Sequence, residues 1–275
     1  MRKLFTLLSL ALTTGLSAQL GPGLIISEVY INPPGNDSPF EFVELVATRT
    51  INFSSTPYSV IVANNGNATA QGWIAGGSLG YGFEITTGTV NAGDVVYVGG
   101  SSMAATGPIL RSINTGTTAG DGFGTPSTSG VFGNGGANAD AVGVFASAIA
   151  AITPSTVPVD AIFYGTAIGT AIVNAGADGY QLPVNDIYPG GKLQSSSYCA
   201  PDPNANYLVA TGAFNPTTGA FTTGRTWTAV AAFTNITTSV AINSVVASAV
   251  LTISGTHAQV NESAGTATVT VNVAS

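Results

Sequence analysis

Short apolar runs, broken by turn chemistry at intervals of roughly a dozen residues, constrain this chain more than any other feature. After Gln19 almost no 3.6-residue periodicity is present, so the runs read as strands of an all-β sandwich or barrel. The expected strands are 24–31, 40–47, 58–62, 82–85, 94–98, 141–145, 159–164 and 226–232. Between them lie Pro33-Pro34-Gly35-Asn36-Asp37, Asn64-Asn65-Gly66-Asn67 and Asn91-Ala92-Gly93-Asp94, all strong turn signals. Stretch 142–152 is rich in alanine and is also compatible with a short helix. Two segments, 101–139 and 181–212, read as long loops: the first is rich in Gly, Ser and Thr, and the second carries four prolines.

The ends of the chain read differently from its middle. Met1-Arg2-Lys3, an apolar run over 4–16 and the small residues Ser17 and Ala18 have the layout of a secretory signal peptide, 1–18, cleaved before Gln19. No later run approaches the ~18 apolar residues of a membrane-spanning helix, so no transmembrane span is expected. Without the leader, Arg49, Arg111, Lys192 and Arg225 face 13 acids, a net charge of −9. Such a chain repels phosphate backbones, which argues against nucleic acid as a partner. Charged residues make up 7% of the sequence, so the surface must be built from Thr, Ser, Asn and Gly. Cys199 and His257 are each the single residue of their type, which excludes an intrachain disulfide and a Cys/His zinc site.

Against that scarcity of charge, the stretch SEVYINPPGNDSPFEFVEL over 27–45 places Glu28, Glu41 and Glu44 in strand-like surroundings. Carboxylates are poor strand formers and poor core residues. On the second strand Phe40, Phe42, Glu44 and Val46 share one face, and Glu41, Val43, Leu45 and Ala47 the other. Whichever face is buried therefore carries a glutamate. A carboxylate pair for acid/base work or for a cation is one reading. The favoured one is structural, with the buried glutamate accepting backbone N–H bonds from the 33–38 loop.

No catalytic constellation is apparent. A Ser-His-Asp triad would require His257, close to the end of the sequence, and the glycine-rich stretches do not join a strand to a helix. Asp202-Pro203-Asn204-Ala205-Asn206 has the D-x-N-x-N opening of a calcium loop, but Tyr207 stands where the EF-hand needs Gly, and Ala213 where it needs Glu. Asp202, Asn204 and Asn206 are thus weak calcium candidates. The closing residues Ala267, Val269, Val271 and Val273 alternate onto one face and read as the start of a second, truncated β module over 246–275.

Residues 25–47 resemble the opening of lamin-tail domains, an immunoglobulin-like sandwich found in nuclear lamins and in exported bacterial proteins. The match rests on Ser27-Glu28-Val29 and on Glu41-Phe42-Val43-Glu44-Leu45 across a Pro/Gly/Asp loop. The run from Val90 to Val98, with its Asn91-Ala92-Gly93-Asp94 turn, and Val159-Asp160-Ala161-Ile162-Phe163-Tyr164-Gly165 are similar to later parts of the family. The resemblance implies a lamin-tail-like domain over 19–245, with the two long loops as insertions. Residues 260–271 resemble the first strands of a Calx-beta repeat; there Glu262 matches an early calcium ligand of that family. The function expected is a non-catalytic exported or cell-surface module for adhesion, spacing or protein interaction, with a protein or surface glycan as partner. The alternatives are an accessory domain of a larger exported hydrolase, such as a nuclease or phosphatase, and a calcium-dependent adhesin built on Calx-beta repeats.

Overall fold

A computed structural model describes residues 22–35, 40–63, 72–74, 82–100, 102–103, 109–113, 132, 140–164, 180–188, 205–215, 220–231 and 240–242. All of these belong to the compact unit Met1–Asn243. The expected leader and the expected second module, with Glu262, lie outside the described residues.

Fourteen strands are found among the described residues: β1 (Leu24–Tyr30), β2 (Phe42–Ala47), β3 (Ile51–Asn52), β4 (Tyr58–Ala63), β5 (Gly82–Ile85), β6 (Thr89–Val90), β7 (Val95–Gly100), β8 (Ile109–Ile113), β9 (Asp140–Phe145), β10 (Asp160–Tyr164), β11 (Tyr207–Asn215), β12 (Ala220–Phe221), β13 (Thr226–Val230) and β14 (Val240–Ile242). One sheet runs β12-β11-β1-β2-β7-β8, with β13 and β14 also paired to β11. A second runs β10-β9-β4-β5, and β3 pairs with β6. Most neighbours are antiparallel; β7–β8 and β11–β14 are parallel. The protein is an all-β sandwich.

The two larger sheets share one core. Leu24, Ile26, Val29, Val43, Leu45, Val96 and Val98 from the first meet Val60, Val62, Phe83, Val142, Val144 and Ile162 from the second. Each such side chain contributes roughly 1.5–3 kcal/mol on burial. The outward faces are covered too. On the second sheet, Ile61, Ala141, Phe145 and Phe163 lie beneath Trp73, Tyr180, Leu182 and Tyr188. On the first, Ile25 and Val46 pack with Ala210 and Phe214, while Tyr30, Phe42 and Tyr97 form a separate aromatic group. Burial on both faces explains why β1, β2 and β4 read as nearly continuous apolar runs.

Some expectations need correcting. The 142–152 stretch is no single helix: it gives β9, then one 3-10 turn at Ile149–Ala151. Gly143 lies within β9, and a Cβ there would come within 2.9 Å of the Trp73 ring. Segment 101–139 contains β8 and the buried Phe132, so it is not simply a loop. The loop expected over 181–212 gives way at Tyr207 to the nine-residue β11.

Candidate functional site

The three glutamates of the opening stretch are all buried, on both faces of the first sheet. Glu41 lies at the foot of β2, on the side of Val43 and Leu45, and its Oε2 accepts the amide of Phe132 at 3.2 Å. That bond fixes Phe132, whose ring stacks on Phe83 with centroids 6.3 Å apart. Glu44 lies on the other face. Its Oε1 accepts the Ser27 hydroxyl at 2.7 Å and its Oε2 the Tyr97 hydroxyl at 2.6 Å. The partners described above are not the amides of the 33–38 loop. They are Phe132, Ser27 and Tyr97; residues 36–38 lie outside the described set. Both faces here are buried, and each carries a glutamate.

A register irregularity between Ile26 and Glu28 brings Glu28 directly opposite Glu44. A row then crosses the sheet, Tyr97 opposite Glu44, Glu44 opposite Glu28, and Glu28 opposite Val209. The next row is aromatic: Tyr30 stacks on Tyr207 at 3.8 Å, and Phe42 meets Tyr97 edge-on at 5.7 Å. Burial first, and the Glu44 charge second, push the Glu28 carboxyl up to about 8. Burial, the hydrogen bond to Glu44 and the charges of Glu44 and Glu28 raise Tyr97 far above the usual tyrosine range. Tyr207 is pushed up to about 12 by burial, by its interaction with Tyr30 and by Glu28.

A second buried polar cluster was not anticipated from the sequence. β12 and β13 both pair with β11, but their registers differ by two residues, which marks a bulge between them. Gly224 takes a φ of 79° there, and the Arg225 side chain is turned inward. Its guanidinium makes a two-pronged bond to Asp160, at 2.6 and 2.8 Å, and a second to Asp186, at 3.0 and 3.1 Å. The remaining N–H donates to the Ile26 carbonyl at 2.8 Å, so all five donors are used. Asp160 also accepts the Ile26 amide at 2.7 Å and the Asn185 side chain at 2.8 Å. Burial pulls the Arg225 pKa down, but Asp160 and Asp186 more than offset it, and the group stays charged. Asp160 begins the edge strand of one sheet and Ile26 belongs to the other, so the cluster ties the two sheets together. The only sequence signal available was that Arg225 is one of just six Lys and Arg residues.

Beside Arg225 lies a cleft of about 120 Å³, lined by Pro22, Ile25, Val184, Phe214 and Phe221 among others. Small-molecule pockets usually measure roughly 300–1,000 Å³. The guanidinium faces the Phe221 ring at 4.9 Å and has no N–H left for a ligand.

Of the calcium candidates, Asn206 lies just before β11, where Ala205 has a φ of 58° and donates its amide to the Asn32 carbonyl at 2.9 Å. Asp202, Asn204 and Glu262 lie outside the described residues. Among the described residues no three His, Cys, Asp or Glu side chains are grouped to hold a metal ion, and no helix is long and apolar enough to cross a membrane. No protein-family model, curated protein or solved structure matches this chain.

Proposed function

We propose that this chain is a non-catalytic module of an exported or cell-surface protein, a lamin-tail-like and immunoglobulin-like sandwich that acts in adhesion, spacing or protein interaction. The Arg225 cluster carries this reading. The most elaborate polar constellation among the described residues has every guanidinium N–H committed to Asp160, Asp186 or the Ile26 carbonyl. Such a group holds strands together and has nothing left with which to bind or polarise a substrate. The glutamates support the same reading, because Glu41 and Glu44 receive donors from neighbouring strands and loops. Purified protein should give no turnover of ester, phosphodiester, peptide or glycoside substrates. Turnover abolished by a single substitution at Asp160, Asp186, Glu28 or Glu44 would replace this reading with a catalytic one.

A further inference from the structure

We propose that Glu28 and Glu44 share one proton, making the carboxyl pair an acid-stabilised latch between β1 and β2 that loosens as the medium turns alkaline. The two residues are direct register partners on antiparallel strands, so their Cβ atoms stand roughly 4.5–5.5 Å apart on one face of the sheet. Both are buried, at 7% and 1% exposure. Glu44 is committed as an acceptor, since the hydroxyls of Ser27 and Tyr97 donate to its two oxygens. Glu28 is in a different position: burial and the neighbouring Glu44 charge set its environment, and no hydrogen bond to it is found among the described residues. Two carboxylates in that relation cannot both stay ionised, and the one without donors keeps the proton.

The groups facing Glu28 from the packed elements sharpen the point. β2 presents Glu44, β7 presents Tyr97 and β11 presents Tyr207, while Tyr30 lies two residues along its own strand. All four are acids or neutral phenols. Among the described residues no cation contributes to the Glu28 environment. Protonation of Glu28 removes its charge from beside Glu44, and burial favours that neutral form. The location is sensitive as well. The β1 irregularity lies beside the last rungs of the β1–β11 ladder, at Glu28 opposite Val209 and Val29 opposite Leu208.

The sign follows from linkage. An unfolded glutamate releases its proton near 4.5, and the folded Glu28 holds it to about 8. Between those values the folded state carries one proton more, so rising pH favours unfolding. The stabilisation is complete below the lower value and gone above the higher one.

The test is urea denaturation of the full chain across acid, neutral and alkaline pH, for the natural sequence and for Glu28→Gln, with carbon-13 NMR titration of the Glu28 carboxyl in the natural sequence. Between about 4.5 and 8 the folding constant should fall roughly tenfold per pH unit relative to Glu28→Gln, which keeps its shape and stays neutral. The carboxyl signal should titrate well above the ordinary glutamate range. Parallel pH curves for the two proteins would overturn the proposal, and so would a carboxyl that titrates near 4.5. Adding calcium on the alkaline side gives a further arm. If calcium restores stability to the natural sequence but not to Glu28→Gln, the pair is a cation site and not a proton latch. If Glu28→Gln does not fold, the NMR titration alone decides.

Discussion

Arg225 shows what a single residue can hold in a chain so poor in charge. A buried ion pair adds little over a well-packed apolar substitute, but removing one partner leaves the others charged and unpaired. Arg225→Met should therefore lower stability by roughly 3–5 kcal/mol, as measured by urea denaturation, by stranding Asp160 and Asp186. Truncating all three residues together should cost less than that single change. Glu41 is a smaller case of the same logic. Glu41→Ala removes the acceptor of the buried Phe132 amide and should cost about 1–3 kcal/mol, with Glu41→Gln milder because it keeps one carbonyl oxygen. If Glu41→Ala has no effect, this bond does not position Phe132. The place of Glu41 and Glu44 beside and within an apolar strand was readable from the sequence. Their partners were not, because Phe132 is 91 positions from Glu41 and Tyr97 is 53 from Glu44. Arg225 was illegible for the same reason, since Asp160 lies 65 residues away.

At the level of elements, the strands with compact apolar runs were legible, and β1, β2, β4, β5, β7, β9 and β10 fall within a residue or two of their expected limits. A run buried on both faces announces itself without alternation. The strands that were missed have other compositions. β11 includes Thr211 and Gly212 and lies behind a proline-rich stretch, and its partly exposed pattern gave no period to read. β3 and β6 are two residues each and exist only through their mutual pairing. Gly99 illustrates a constraint that pairing alone imposes. A Cβ on it would strike the Glu41 carbonyl oxygen and approach the Cα of Phe42 to 2.6 Å, and neither backbone atom can swing away. Gly99→Ala should thus cost at least ~1–3 kcal/mol by forcing β7 off β2. Gly93→Ala is the control: its φ of 89° is strained for alanine, but nothing lies within 4 Å of the new Cβ. Strain of that kind is worth roughly 1–2 kcal/mol. Thermal unfolding of both variants separates the two effects, and equal losses would mean that the β2–β7 approach is not limiting.

For the whole molecule, the open question is how an acidic chain with few charges would use calcium. A hard cation takes roughly six to eight oxygens, and every ligand missing from the protein must be supplied by water. Glu262 is one carboxylate, matched by resemblance to an early Calx-beta ligand, and none of the acids that would complete such a set is grouped with others among the described residues. Asp202, Asn204 and Asn206 would bring one carboxylate and two amide oxygens, with no acidic residue at the closing position. The buried carboxylates do not make up the shortfall. Asp160 and Asp186 are both bonded to the one Arg225 guanidinium, and Glu44 already accepts two hydroxyls. Calorimetry on the full chain should accordingly find calcium binding no tighter than about 10⁻⁴ M, the range of weak extracellular sites. Glu262→Ala should weaken it further, and Asp202→Ala should leave it unchanged. Submicromolar binding that survives Glu262→Ala but not Asp202→Ala would move the site to the 202–206 loop. The foot of β11 would then be a calcium-ordered element, and the calcium-dependent adhesin would become the better account of what this chain does.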